Sequence, residues 1–389
     1  MTYDNRFLPF GQQLYSRSTE RYSNGMADAF YVFAHESRSR FGPDLPLFSV
    51  YGSYDLNQVA QALEAVGKPN PLRSQWRGFT IPCQMKGRLE VLGVDLSWNQ
   101  AISNNLSFGV ATSLMHVKSW LTLRLLTNKI EAPTAGPGDI AELMGDLLEA
   151  NAELGINNSS ESRTAFGDVD AYIRLGKMWY YPEKFRRIDA GIRIGALFSS
   201  GQKRDINNPA SIPFAGNGYP GMYGQIDAEF ELKEDLKAGI WGRVTKRFTR
   251  TSRQRVPVFN EPINYGAVVG DFRVDPGANF MLSPYVMIED IRDGLGLSAR
   301  YVWVHQSEDS WCDRREDKKV ALNLSTMDEF SAWTSEYVSL DVSYDFGRLA
   351  VKSSFDPRLY FTFDIPVHWF ASQEVSKSYR VLLGGELRF

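Results

Sequence analysis

Apolar residues recur at every second position in segment after segment of this chain, and the pattern is cleanest at its end. Tyr379, Val381, Leu383, Gly385, Leu387 and Phe389 share one face of an extended strand, while Arg380, Leu382, Gly384, Glu386 and Arg388 share the other. Working backwards, the alternation returns from Leu359 to Trp369, Val338 to Phe346, Leu295 to Trp303, Phe280 to Ile288, Leu236 to Val244 and Met222 to Leu232. It continues through Ile188 to Phe198, Val169 to Leu175, Leu106 to Leu114 and Leu92 to Trp98. With a weaker run at Ala27 to Ala34, the pattern predicts about twelve strands. The alternative is fourteen, since stretches such as Trp120 to Leu125 either extend a neighbour or begin a strand of their own.

Each run has the roughly 9–11 residues that a tilted strand needs to cross a bilayer. The connections sort by length: Asn99–Asn104, Tyr181–Arg186, Glu234–Asp235 and Asp290–Gly294 are short, whereas Glu36–Gln84, Val117–Ser162, Ser200–Pro220, Arg250–Asp275 and Ser307–Trp333 are long. Short and long alternate, as expected of an all-β, up-and-down antiparallel transmembrane β-barrel with tight periplasmic turns and extended external loops. Both termini then lie in the periplasm. The closing strand resembles that of a bacterial outer-membrane barrel, which implies that Tyr379, Leu387 and Phe389 are read by the barrel-assembly machinery. Residues 26–389 form one barrel in this reading, and residues 1–25 a periplasmic extension or a plug. Pro284 and Pro366 fall inside proposed strands, where a missing N–H requires a bulge or a break in pairing.

Composition narrows the class. A mean hydropathy of -0.30 and the absence of a long apolar run exclude a membrane helix but not a barrel, whose strands hide their hydrophobicity in alternate positions. Aromatic content of 13% fits interfacial girdles, and a net charge of -3 gives no basic footprint for nucleic acid. Met1-Thr2-Tyr3-Asp4 carries neither a basic nor an apolar leader segment, so a processed form is expected.

If the apolar row faces lipid, the opposite row lines the lumen. Parity assigns to it Asp168, Asp170, Arg174, Arg193, Asp227, Glu229, Lys237, Arg243, Arg247, Asp341, Asp345, Asp364 and Arg380. Two arrangements fit: opposed charged walls across a water-filled pore, or ions paired across a narrow, occluded one. Arg250, Arg253 and Arg255 continue the basic row into a loop, where they suit lipopolysaccharide phosphates.

Two long loops carry helical patterns. Asp55 and Gln58 have the spacing of a capping box before Val59, Leu63 and Val66, with Gly67 at the end. Asp139 and Glu142 repeat it before Leu143, Met144, Leu147 and Leu148, closed by Gly155. The second helix is read either as packing over the mouth or as a lid, with those four apolar residues as its contact face. Cys83 and Cys312 both fall in proposed external regions, where a disulfide between them and two free thiols are both open. No Cys or His spacing suggests a metal, and no cofactor is implied.

His305 and Ser307 are two residues apart on the lipid side, as in outer-membrane phospholipases, but Glu308-Asp309 follows where that family has Asn-Gly. No orienting third residue is evident, and an interfacial His beside Trp303 is the plainer reading. Gly167-Asp168 opening a strand, and a later strand ending Leu197-Phe198-Ser199-Ser200-Gly201 before a polar loop, resemble the outer-membrane family associated with aromatic-compound degradation, a relative of the fatty-acid transporters. The resemblance spans about 40 residues and implies a channel fold without fixing a solute. The chain is therefore expected to be a passive outer-membrane channel for small apolar or anionic solutes, without enzymatic turnover. A structural or surface-interaction barrel with a plugged lumen is the alternative.

Overall fold

Every one of those alternating segments forms a strand over all or most of its length, and the strands pair in chain order until the last meets the first. The computed structural model describes residues 5–10, 23–40, 42–130, 137–156, 158–181, 185–348 and 356–389. The barrel strands are β1 (Asn24–Ala34), β2 (Pro82–Ala101), β3 (Leu106–Leu125), β4 (Val169–Tyr180), β5 (Arg187–Phe198), β6 (Gly221–Lys233), β7 (Leu236–Arg247), β8 (Ala278–Arg292), β9 (Leu295–Gln306), β10 (Trp333–Asp345), β11 (Asp356–Pro366) and β12 (Tyr379–Arg388). All neighbours are antiparallel, and β12 closes on β1 from Asn24↔Arg388 to Phe33↔Tyr379. Ser23 and Phe389 exchange both backbone hydrogen bonds, at 3.0 and 2.9 Å, so the seam is zipped to the rim. Closure leaves no unpaired edge, which a strand in lipid cannot tolerate.

One rim carries tight turns. Asp293 and Gly294, at φ +48° and +90°, form the two-residue turn between β8 and β9 that the right-handed strand twist favours. The other rim carries the long loops. They contain α1 (Leu56–Ala65), α2 (Pro137–Leu154), α3 (Leu324–Glu329) and a three-stranded sheet of Arg250–Val256, Val268–Asp275 and Ser310–Asp313. Two further strands, Tyr54–Asp55 and Ser160–Phe166, lengthen the wall by pairing with β2 and β3.

The outward faces are apolar. Leu92, Leu96, Ile173, Ile194, Ile226, Val286, Leu340 and Leu383 are exposed to a degree that only a lipid surround makes favourable. Aromatic side chains border the band at both rims. Trp179, Tyr180, Tyr181 and Phe389 are exposed near the turns, while Trp303 stacks on His305 and Tyr301 on Trp369 near the loops.

Strands β2 and β3 differ from the expectation. Each has 20 residues, about 66 Å at ~3.3 Å per residue and twice what the bilayer requires. Gln84 and the stretch from Val117 to Leu125 are strand rather than loop, so Trp120–Leu125 extends β3. Beyond the membrane the polarity of the two faces reverses. Met85, Leu89, Val91, Met115, Val117 and Leu121 point inward and are buried, whereas Lys86, Lys118 and Arg124 point outward. The physical reason is that the outside is now water and the inside is packed loop.

The prolines act as their chemistry requires. Opposite Ser283 and Pro284 the β8–β9 ladder is interrupted between Leu282↔Trp303 and Tyr285↔Arg300 with its register kept. Pro366 is the last residue of β11 and interrupts nothing. Val367 to Trp369 lie beyond the strand.

Candidate functional site

Alternation puts the charged row inside, and there the opposite charges touch. Arg174 of β4 contacts Asp189 of β5 at 3.2 Å and Asp227 of β6 at 2.6 Å. Arg243 of β7 reaches Asp170 of β4 at 3.4 Å and lies over the Tyr223 ring, whose hydroxyl donates to the same Asp170 at 2.8 Å. Arg193 covers Tyr172, with 4.1 Å from Cζ to the ring centre. Glu229 accepts from Arg187 at 3.4 Å and Tyr285 at 3.1 Å, and Lys237 bonds Glu289 near the turns. Asp341 accepts from Thr362 at 3.0 Å, and Asp364 from Arg380 at 2.5 Å. Asp345 sits at the turn rim, where it caps Gly347.

Side chains fill the waist of the barrel. Asp170, Arg243, Asp364 and Arg380 are each 4% exposed or less. Beside Arg174, Trp241 and Tyr285 a void of about 20 Å³ remains, room for about one water. Of the two arrangements open from sequence, paired ions across a narrow lumen is the one present. Pairing also resolves the energetic difficulty, since isolated charges could not be held there.

Above the waist lies a short piece of the amino-terminal segment, Asn5–Phe10, all of it buried. Phe7 packs on Phe48 and Tyr51, at 5.6 and 5.7 Å between ring centres, and Phe10 meets Tyr337 edge-on at 5.5 Å. The Ser376 N–H donates to the Arg6 carbonyl at 3.0 Å, and the Ser378 hydroxyl to the Phe7 carbonyl at 2.7 Å. The chain is thus at the loop end at Phe10 and at the turn end at Ser23.

Between this segment and the loops is a cavity of about 210 Å³. Arg6, Arg204, Arg247 and Arg255 line it, with Asp309 as its carboxylate and Tyr51, Ile263, Met327, Phe330 and Trp333 among its apolar walls. Arg247 is paired with Asp168 at 2.7 Å. Arg255 donates to the Ile206, Gly266 and Leu154 carbonyls and to Asn207, all neutral. Burial pushes the Arg255 guanidinium down to about 10, which leaves it cationic at neutral pH, and holds Arg6 below its ordinary value. Burial also pushes the Asp309 carboxyl up to about 6, against the Gly277 N–H and Arg6, which favour its charged form.

Parity found the strand charges but none of Arg6, Arg204 or Asp309, which lie on loops and on the amino-terminal segment. The quoted resemblance motifs do meet in space. The Ser200 hydroxyl donates to the Gly167 carbonyl at 2.7 Å, and the Gly201 N–H to Asp168 at 3.1 Å. In α2 the four apolar residues divide: Leu143 and Leu147 are buried, Met144 and Leu148 exposed, so they form no single contact face. Asp55 caps α1 through the Asn57 N–H at 3.0 Å, and Gly67 and Gly155 take the positive φ expected of helix ends.

Six further residues are placed by their surroundings. Cys83 and Cys312 are free thiols: Cys83 is buried at the start of β2 and Cys312 exposed in the outer sheet, so the two do not pair. His305 Nδ1 faces the Thr334 hydroxyl at 2.9 Å between Trp303 and Phe280, as an interfacial ring would. Tyr379, at the outer surface, stacks on Phe33 at 5.2 Å, and Leu387 and Phe389 face outward.

No family model and no curated protein matches the chain. Among solved structures it resembles an outer membrane channel from Pseudomonas putida F1 with a TM-score of 0.50, at 9% identity and over 95% of both chains. A Pseudomonas aeruginosa FadL homologue gives a TM-score of 0.35 at 8% identity over 95% of this chain and 90% of that one. The P. putida toluene transporter TodX gives 0.33 at 9% over 95% and 89%. The first likeness shows the fold, that of an outer-membrane barrel, and transfers no residue roles.

Proposed function

We propose that the chain is an outer-membrane channel for small solutes, held shut in this conformation by Asn5–Phe10 above and by the ion pairs of the waist below. The observation that carries this is how the amino-terminal segment is fixed. It is attached by serine hydroxyls, a few carbonyl contacts and ring edges, and it belongs to no strand of the barrel. A stopper held this way is displaceable at a cost the barrel itself does not bear. The P. putida F1 outer membrane channel, which shares this fold, agrees with this reading. In it the turns and the carboxy-terminus face the periplasm and the loops face outward, whereas the amino-terminal segment, expected in the periplasm from sequence, lies at the loop end with Asn5 donating to the Pro213 carbonyl; lipid surrounds the apolar band, and no catalytic step occurs.

A structural barrel is the second reading, favoured by the filled waist. Planar bilayers separate the two. Removing residues 1–22 should produce or enlarge discrete conductance steps relative to the full chain. A deletion protein that folds, shifts on heating in gels, and stays silent both in bilayers and in liposome swelling with uncharged solutes would favour the structural role.

A further inference from the structure

We propose that the cavity between the amino-terminal segment and the loops binds a small carboxylate with an apolar, single-ring body, its anion held by Arg6 and Arg204. The inference deepens the channel reading and rests on it only for the ligand being a solute in transit.

Charge imbalance is the first observation. The guanidinium carbons of Arg6 and Arg204 stand 5.3 and 5.1 Å from the centre of the same Tyr51 ring. Like charges so placed repel, and neither has a carboxylate in contact among the described residues. Arg6 donates to the Val50 and Phe330 carbonyls, Arg204 to Asn264, and the Arg204 Nε has no acceptor. Arg255, a third cation, is likewise bonded only to neutral oxygens. Against them the cavity sets one carboxylate, Asp309. Glu374 acts on Arg6 and Asp205 on Arg255 from beyond the cavity wall without touching them; burying cations with no carboxylate in contact is costly, and an anion entering the cavity offsets that cost. Guanidinium groups favour the two-pronged geometry of a carboxylate.

Size and polarity fix the rest of the ligand. A cavity of about 150 Å³ accommodates benzene, and this one, at about 210 Å³, has room for a ring plus its carboxylate. Ile263, Met327, Phe330 and Trp333 supply an apolar wall for the ring. Asp309 opposes the anion when ionised. It is met by the Gly277 N–H at 2.8 Å, with Arg6, Lys246 and Asp328 the charged groups around it.

The test is calorimetric titration of the full chain in detergent with benzoate, benzamide and acetate at pH 7.5 and low salt. Benzoate should bind saturably, with benzamide about tenfold weaker or worse for want of charge and acetate weaker for want of a ring. Arg204→Gln should weaken benzoate about tenfold or more, while Arg273→Gln, exposed on the outer sheet, should leave it unchanged. Asp309→Asn should tighten benzoate at pH 7.5 and remove most of the gain that wild type shows at pH 5. Equal affinity for benzoate and benzamide, or an unchanged Arg204→Gln, overturns the proposal, as does failure of benzoate to saturate. Should Arg204→Gln misfold, Arg204→Lys keeps the charge but loses the fork, and must weaken benzoate measurably. Silent bilayers with intact benzoate binding would refute the channel alone, whereas conductance without benzoate discrimination would refute this site alone.

Discussion

Arg380 on the closing strand covers the ring of Phe10 on the amino-terminal segment, with 4.5 Å between guanidinium carbon and ring centre. The same side chain bonds Asp364, so one arginine joins the barrel wall to the stopper. Phe10→Ala should loosen the stopper with little harm to the wall, raising the frequency of conductance events. Arg380→Ala leaves Asp364 buried without its cation and should cost about 3–5 kcal/mol, read as a lowered urea midpoint for the folded barrel in micelles.

Arg174 bridges two carboxylates, and its loss is not equivalent to theirs. Arg174→Met should destabilise by about 3–5 kcal/mol because Asp189 and Asp227 then lose the cation that lies between them. Adding Asp227→Asn should recover part of the loss. Strict additivity of the two changes in a double-mutant cycle would show the contact to be energetically idle.

The Asp309 carboxyl is raised by burial to about 6 in the folded protein, against about 3.9 in the unfolded chain. The folded state binds the proton more tightly, so this group's contribution to stability is full below about pH 4 and is lost as pH rises through about 6. The difference in urea midpoint between wild type and Asp309→Asn should therefore move in favour of wild type on going from pH 7 to pH 4. A difference independent of pH would contradict the burial assigned to this carboxyl.

Cys312 is exposed and Cys83 buried. A membrane-impermeant maleimide should label one thiol in folded protein and two after denaturation, with gel mobility indifferent to reductant. Labelling of Cys312 on intact cells would also fix the loops as the outer side.

All twelve strands were legible because a lipid-facing row imposes strict alternation, and the weakest, β1, still pairs along its whole length with β2 and from Asn24 to Phe33 with β12. The extensions of β2 and β3 were hidden because the apolar row changes sides near Leu114 and Met115. A reader following parity sees the pattern fail there and infers a loop. The waist ions followed from parity too, though their contacts needed the register between strands. For residues 1–25 an extension and a plug were both open: the six residues Asn5–Phe10 carry no period, and burial inside a ring depends on what surrounds them. Arg6, Arg204 and Asp309 share that problem, converging from distant segments of the chain.

The seam between β1 and β12 has a consequence in time. Its two strands lie at opposite ends of the sequence, so their pairing is the most non-local in the fold and the slowest kind of contact to form. Asn5–Phe10, upstream of β1, ends up within the ring that this pairing completes. Unless it threads in later through an open rim, it must already lie across the nascent sheet when the ring shuts, which makes it a mandrel about which the barrel is wound. On that order of events Phe10→Ala should slow refolding into bilayers as well as unsettle the finished protein.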